Sequence, residues 1–461
     1  MKAIILAGGS GSRLWPLSRE MSPKQLMKID TNYSLLQSAL IRLKMIEDID
    51  EIIAIGNIKN YSDVKLQLSA IDKDIKIIAE PATKNTAPAI ASAITYFKKN
   101  GYDDKVLIVP SDHLINDSKA FASSIEKAKV LADKDYIVTF GIKPDYPETG
   151  YGYIKAGSPL YNGYSVEKFI EKPDIDSARE FMTNPKYFWN GGIFMTKIST
   201  IINEYAEYYS QISEAMKHLD FSDGLNIDYS IYENLPTISI DYAIMEKTDK
   251  IALVELQSDW KDVGSWQSLY EVKEKDENGN VLSGKVITHN VKNSFIYSQK
   301  ELVAVSGLED IILVETEDAI MACNRNNTQD VKKLYNKLKE NYSETVQLHK
   351  TTFRPWGYYT CMNSGDGYLT KTICVMPKQK LSLQSHNHRS EHWVVLEGTA
   401  LVILEDKEYI VKAGDSIDIP LKAKHSLQNP YDNELKIIEV QKGDYISEDD
   451  IIRYNDIYGR V

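Results

Sequence analysis

The strongest constraint on the fold comes in the first fourteen residues. A short apolar run, Lys2 to Leu6, passes without a linker into Ala7-Gly8-Gly9-Ser10-Gly11-Ser12-Arg13-Leu14. The run is too short to span a bilayer and too abruptly ended to be a signal peptide, so it reads as a buried strand. The glycines let the backbone turn sharply and approach a ligand with no Cβ in the way. Successive N–H groups in such a turn form a nest for an anion. Arg13 adds a planar fork for phosphate oxygens, and Lys24 adds a point charge. Two rival phosphate loops fail on spacing. A dinucleotide fingerprint needs a third glycine where Leu14 stands. A P-loop needs GxxxxGK followed by Ser or Thr, and the nearest match, Gly279 to Lys285, runs into Val286.

The rest of residues 1–275 alternates short β-branched runs with longer helical patterns. The runs are Lys2 to Leu6, Glu51 to Ile55, Ile75 to Ile78, Val106 to Val109 and Ile137 to Phe140. The helical patterns include Ser34 to Ile46, Thr86 to Lys99 and Ser118 to Ala132, with Thr86 and Ser118 as N-caps and Pro88 in a tolerant first turn. Such alternation predicts an α/β, Rossmann-like domain with a mostly parallel sheet, whose ligands sit beyond the carboxyl ends of its strands. At KEKDENGN the texture changes. Residues 276–327 hold short strands without helices, either a small β domain or a β-helix. Residues 328–350 read as a helical linker, and residues 351–461 as a compact antiparallel β-barrel.

Composition narrows the partners. A net charge of -12 argues against nucleic acid and anionic membrane, though not against a local phosphate site. The three cysteines, Cys323, Cys361 and Cys374, form no CxxC, so a reducing cytoplasm is the expected setting. The expected assembly is a homo-oligomer.

The fuller string GGSGSRLWPLSRE…SPKQ resembles the signature of sugar-nucleotide pyrophosphorylases, and Met1 to about Trp266 resembles mannose-1-phosphate guanylyltransferases throughout. The resemblance implies nucleotide contacts from Leu6, Ala7, Gly8, Gly9, Gly11, Ser12, Arg13 and Lys24. EPATKNTAPAI implies that Glu80, Lys84, Asn85 and Thr86 lie near the nucleotide, although Asn85-Thr86 also reads as a helix cap. Asp112, just past a buried strand, and Asp262, in WKDVGSW, are implied ligands of Mg²⁺; either one alone would read as a loop cap. Gly150, Tyr151, Tyr153, Glu171, Lys172, Asn190 and Gly191 are the implied sugar contacts. Asp241, in SIDYAIMEK, either faces that pocket or caps a helix. The implied reaction joins GTP and mannose 1-phosphate into GDP-mannose and pyrophosphate, with Arg13, Lys24 and Lys172 as the catalytic cations.

Four histidines, His386, His388, His392 and His425, fall within 40 residues of one another. On a strand, His386 and His388 would share a face. Two imidazoles with a carboxylate and a distant third histidine suit a metal shell. HNHRSEHWVVLEG and GDSIDIPLKAKHSLQN resemble the two cupin motifs, which implies His386, His388, Glu391 and His425 as ligands. The spacing is one residue short of the usual, so His392 is the alternative to Glu391, and Lys422 stands where a glycine is usual. RPWGYY and SLQSHNHRSEHWVVLEGTA resemble type II phosphomannose isomerases. That implies interconversion of fructose 6-phosphate and mannose 6-phosphate on a divalent transition metal (Zn, Co, Mn or Ni), with Lys380, Arg389 and Arg453 as phosphate partners. The alternative is a non-catalytic sugar-binding cupin on a monofunctional transferase.

Overall fold

Strand Lys2–Leu6 sends alternate side chains into two different cores. Ile4 enters one with Ile53, Ile55, Ile78 and Ile108; Ala3 and Ile5 enter the other with Ala54, Ile77, Leu107 and Val109. Burial on both faces is what an unbroken apolar run predicts for a parallel strand. The structure, a computed structural model, describes residues 1–9, 11–29, 32–221 and 225–454. The chain forms two compact units, Met1–Thr316 with Ile320–Val346, and Gln347–Val461 with Glu317–Ala319.

The first unit is built on a nine-stranded sheet. From one edge its order is Lys76–Glu80, Glu51–Asn57, Lys2–Leu6, Lys105–Pro110, Tyr187–Lys197, Ile137–Ile142, Ile251–Glu255, Gly163–Glu171 and Gly152–Leu160. The first four strands are parallel to one another, as are Ile137–Ile142 and Ile251–Glu255. The remaining pairings are antiparallel, so the sheet is mixed where the sequence suggested mostly parallel. One of these pairings is local: only Tyr161 and Asn162 separate Gly152–Leu160 from Gly163–Glu171, and so short a connection allows only a hairpin; in the middle of the sheet the change comes from Tyr187–Lys197, which runs antiparallel to both its neighbours.

Helix Leu35–Lys44 starts in a capping box between Ser34 and Gln37. The caps of two other helices lie one residue earlier than expected. Asn85 accepts from the Thr86 N–H at 2.8 Å, and Asp117 accepts from the N–H groups of Lys119 and Ala120. Their side-chain oxygens reach the first exposed donors, which leaves the Thr86 hydroxyl to accept from the Ile240 N–H at 2.9 Å.

After this sheet the short strands Val281–Ser283, Phe295–Ser298 and Ile311–Glu315 pair in parallel, as do Val286–His289 and Val303–Ser306. Successive coils of parallel strands make a β-helix, the second of the two forms the sequence allowed. The expected helical linker is not free. Helices Val331–Asn341 and Ser343–Gln347 pack back on the first unit: Lys339 pairs with Glu20 at 2.6 Å, and Trp15 Nε1 donates to the Thr345 carbonyl at 3.4 Å.

The second unit is a sandwich of two antiparallel sheets. One has the order Thr351–Arg354, Gly357–Gly365, Tyr368–Val375, Leu435–Gly443, Arg389–Glu397, Ser416–Ile419; the other has Lys407–Lys412, Thr399–Leu404, His425–Gln428, Leu383–His386, Ile451–Tyr454. Trp356, Trp393, Val375 and Ile437 fill the space between them. Among the described residues no helix is long and apolar enough to cross a membrane.

Because Ile4 is fully buried at the centre of a core, truncation leaves a cavity that the flanking strands cannot close. Ile4→Ala should destabilise the first unit by about 2–5 kcal/mol. The check is a lower urea midpoint for the unfolding transition seen by far-UV circular dichroism.

Candidate functional site

The glycine loop is held in place by residues the motif leaves unmarked. Buried Gln25 donates to the Ala7 carbonyl at 2.9 Å, and buried Ser18 donates to the Gly11 carbonyl at 2.6 Å. The Leu6 carbonyl accepts from the Ser111 hydroxyl at 2.7 Å. Leu6 and Ala7 therefore anchor the loop with their carbonyls, while Gly8 and Gly9 face open space. Gly11 has φ 58°, and a Cβ there would lie 2.8 Å from the Lys24 backbone nitrogen. Only glycine fits, and the contact fixes the loop against the Lys24 segment. Ser12, Arg13 and Leu14 follow as a 3₁₀ turn. Ser10 lies outside the described residues.

Lys24 is the centre of the first site. It is 8% exposed, with its ammonium 2.9 Å from Asp112 Oδ2 and 2.8 Å from Asp262 Oδ1. Burial works against that charge, but the two carboxylates outweigh it and hold the pKa above the usual lysine value. Burial likewise raises Asp112, and Lys24 with His113 pulls it net below the ordinary carboxylate value. A small ribbon sets the spacing: Trp260–Asp262 pairs with His113–Ile115, and Asp262 lies opposite His113. Trp260 Nε1 donates to His113 Nδ1 at 3.0 Å, and burial lowers the His113 pKa, so this imidazole is neutral. Two carboxylates that already converge on one cation suit a hard divalent ion.

The expected sugar contacts divide. Glu171, Asn190 and Gly152 converge: a Cβ on Gly152 would lie 2.5 Å from Glu171 Oε2 and 3.3 Å from Asn190 Cβ. Asn190 Nδ2 donates to Asp241 Oδ1 at 2.9 Å, so Asp241 joins this cluster. Burial, then the nearby Glu171, pushes the Asp241 carboxyl up to about 6. Lys172 pairs with Glu171 at 2.7 Å. Gly191 has a packing role, since a Cβ there would meet the Phe140 carbonyl at 2.7 Å. The Gly150 N–H donates to Glu148 at 2.7 Å. Tyr151 packs on Trp189 and Trp260 at 5.4 and 5.6 Å, behind the Asp262 strand. A cavity of about 1390 Å³ has Arg13, Tyr151 and Asp262 on its wall.

Tyr153 is not brought to the site. It is fully buried, 5.3 Å from Phe181, because strand alternation points Gly152 toward the cluster and Tyr153 into the opposite core. On the expected base side, Glu80 is buried and accepts a short hydrogen bond from the Tyr232 hydroxyl. Burial pushes its carboxyl up to about 7 despite that bond. Lys84 donates to the Glu233 carbonyl, Asn85 is the helix cap, and Thr86 binds Ile240.

In the second unit His386, Glu391 and His425 are buried together, with ligand atoms within 4.8 Å of one another. His386 Nε2 lies 3.0 Å from Glu391 Oε1, and His425 Nε2 lies 3.6 Å from Glu391 Oε2. His425 Nδ1 is 2.9 Å from the Ala423 carbonyl, which fixes the proton there and turns the Nε2 lone pair toward Glu391. Neither ring nitrogen of His386, nor His425 Nε2, makes a hydrogen bond. Buried imidazole nitrogens left without hydrogen bonds beside a carboxylate fit a divalent transition metal. Burial raises Glu391, and the two histidines and Arg389 more than reverse this, so it is ionised.

His388 is not brought to this trio. Strand Leu383–His386 ends before it, so the face-sharing expected of the pair is lost, and it lies exposed, 3.6 Å from Asp444. His392 follows Glu391 on the strand, points to the other face and pairs with Asp418 at 2.7 Å. Glu391 therefore holds the acidic position. Lys422, at φ 67°, adopts the left-handed conformation of the glycine it replaces, and its N–H donates to the His386 carbonyl at 2.9 Å.

The known proteins that this chain resembles fit this geometry. Residues 2–279 match the nucleotidyl transferase family model, residues 284–338 the MannoseP isomerase/GMP-like beta-helix domain, and residues 341–456 the mannose-6-phosphate isomerase C-terminal domain. A mannose-1-phosphate guanylyltransferase of Klebsiella pneumoniae is 41% identical over 99% of both chains. The chain belongs to the mannose-1-phosphate guanylyltransferase family. The xanthan biosynthesis protein XanB of Xanthomonas campestris pv. campestris is 40% identical, again over 99% of each chain. The crystal structure of a mannose-1-phosphate geranyltransferase from Thermus thermophilus superposes with a TM-score of 0.67 at 28% identity, covering 73% of this chain and 99% of that one.

Within this guanylyltransferase-family chain, Gln25, Ser18 and Asp241 are the site residues that sequence reasoning passed over or left open. Gln25 stood inside the quoted PKQ string, so its signal was present. Nucleotidyl transferases and cupin isomerases use divalent metals, and both sites have donors for one. Glu391→Ala should abolish tight metal binding by the second unit, whereas His392→Ala should leave it unchanged. Metal content by mass spectrometry after dialysis checks both.

Proposed function

We propose that the N-terminal unit transfers GMP from GTP to mannose 1-phosphate, and that the cupin interconverts fructose 6-phosphate and mannose 6-phosphate. The observation that carries the first activity is the convergence of Lys24, Asp112 and Asp262 beside the glycine loop. Relatives of nearly full-length match bear the guanylyltransferase name.

In this reading an oxygen of the sugar phosphate attacks the α-phosphorus of GTP in line. The new P–O bond forms as the bond to the β-phosphate oxygen breaks, and pyrophosphate leaves. No protein nucleophile is needed, so positioning and charge neutralisation carry the rate. The nest at Gly8, Gly9 and Gly11, with Arg13, holds the triphosphate. Asp112 and Asp262 hold Mg²⁺, which supplies positive charge to phosphate oxygens when bound. Glu171, Asn190 and Asp241 bind sugar hydroxyls, and Lys172 meets the sugar phosphate. Lys84, Asn85 and the Glu80 region border the base.

For the cupin, His386, Glu391 and His425 would hold Zn, Co, Mn or Ni, which would polarise the sugar carbonyl while a proton moves between C1 and C2. The mannose 6-phosphate formed becomes substrate for the transferase only after a phosphomutase step. XanB and the alginate biosynthesis protein AlgA of Pseudomonas putida, 40% identical, support a place in polysaccharide synthesis. Three free cysteines agree with a cytoplasmic setting.

Four nucleoside triphosphates assayed against several hexose 1-phosphates should give GTP with mannose 1-phosphate the highest kcat/KM; a preference for another pair overturns the substrate assignment. Arg13→Ala and Asp262→Ala should lower transfer at least ~100-fold and spare isomerisation, while His386→Ala should do the reverse. Absence of isomerase activity in the full chain with each of the four metals would leave the cupin as a sugar-binding module.

A further inference from the structure

The helices that follow the β-helix do more than connect. Helix Val331–Asn341 is mostly charged and exposed, but Val331 and Tyr335, four residues apart, are buried, and Leu338 is half-buried on the same face. The helix packs against the Ser12–Leu14 turn of the glycine loop. The chain beyond it then takes hold of residues 15–20 at both ends. Trp15 Nε1 donates to the Thr345 carbonyl at 3.4 Å, and the Glu20 N–H donates to the Val346 carbonyl at 3.0 Å. The Glu20 carboxylate accepts from the Tyr335 hydroxyl at 3.4 Å and from Lys339 at 2.6 Å. Trp15, Tyr335 and Val346 are all buried.

Trp15 is the point where three parts of the first unit meet. Its carbonyl accepts from Trp266 Nε1 at 3.1 Å, in the helix that follows the Asp262 strand. Its indole N–H reaches the linker. Two residues before it stands Arg13, on the wall of the large cavity. The Arg13 guanidinium forms no ion pair among the described residues, so its place follows the backbone of its turn. That backbone is closed onto the next segment. The Leu17 and Ser18 N–H groups donate to the Leu14 carbonyl at 2.9 and 3.1 Å, and the Ser18 hydroxyl donates to the Gly11 carbonyl. The turn is therefore tied on one side to the Asp262 strand and on the other to the linker. The solvent-exposed Lys339–Glu20 pair is screened and adds little; the buried contacts of Trp15 and Tyr335 set the geometry.

We propose that Trp15 and Tyr335 are positioning residues of the transferase: with the Thr345 and Val346 carbonyls they hold residues 15–20, and through them Arg13, in the place that grips a triphosphate. The transferase site then depends on the chain as far as Val346, well past the nine-stranded sheet that carries its ligands. The inference rests on the triphosphate reading of the glycine loop, but not on which base or sugar the site prefers.

Calorimetric titration of the full chain with inorganic tripolyphosphate and Mg²⁺ tests this, because that probe reports the loop whatever the nucleotide. Tyr335→Ala and Trp15→Phe, which keeps an aromatic ring and loses the N–H, should each weaken binding at least about fivefold. Lys339→Ala should match the wild type, and the metal content of the cupin should not change in any of the three. In an Arg13→Ala background the first two substitutions should alter affinity by less than about twofold, since the group they place is gone. Equal weakening in both backgrounds would mark a general loosening of the fold and overturn the proposal; so would unaltered affinity. Should Tyr335→Ala fail to fold, Trp15→Phe decides alone. If the variants weaken tripolyphosphate while wild type prefers another nucleoside triphosphate or sugar, the brace stands and the guanylyl assignment falls. A wild type that binds no tripolyphosphate overturns both.

Discussion

One ammonium between two carboxylates organises the first unit. Lys24 reaches Asp112 at the end of a core strand and Asp262 on a separate ribbon, joining parts of the chain 238 residues apart. A partly buried ion pair of this kind is a weak source of stability but a strong one of position. Removing Lys24 leaves the two carboxylates uncompensated, at about 3–5 kcal/mol. The glycine loop abuts the Lys24 backbone at Gly11, and the Tyr151 hydroxyl donates to the Asp262 carbonyl at 3.4 Å. With two carboxylates to one ammonium the cluster keeps a net negative charge, which suits the binding of a cation.

The second unit applies the same physics with the opposite choice. Its three buried ligand side chains are not closed by a lysine. Glu391 is ionised and lies beside two imidazoles, of which both nitrogens of His386 and Nε2 of His425 make no hydrogen bond. Burial of polar nitrogens without partners is costly, so the unbonded imidazole nitrogens beside the carboxylate suit a further cation in addition to Arg389. The Ala423 carbonyl fixes the His425 ring, and the Lys422 N–H holds the His386 carbonyl. Function is thus distributed over two polar centres, each embedded in its own apolar core.

Much of this was legible in the sequence because the signals were local. The Gly8-Gly9…Gly11 spacing, the β-branched strands, the helical periods and the paired histidine strings all report interactions within a few residues of chain. Lys2–Leu6 and helix Thr86–Lys99 fall where their patterns put them. The position of Asp112 after a buried strand was readable for the same reason, whereas Glu391 followed from the resemblance of its string to a cupin motif.

Other outcomes depended on contacts that no local pattern encodes. His388 is separated from His386 because its strand ends too early, and strand ends are set by pairing with Ile451–Tyr454. Gly152 rather than Tyr153 faces Glu171 because hairpin register fixes which face is inward. Antiparallel Tyr187–Lys197 enters the middle of the sheet, which makes it mixed. The sequence alone determined which residue types were available to bind phosphate and metal. Tertiary structure decided which of them meet, since a one-residue change in register or strand length turns a side chain to the other face.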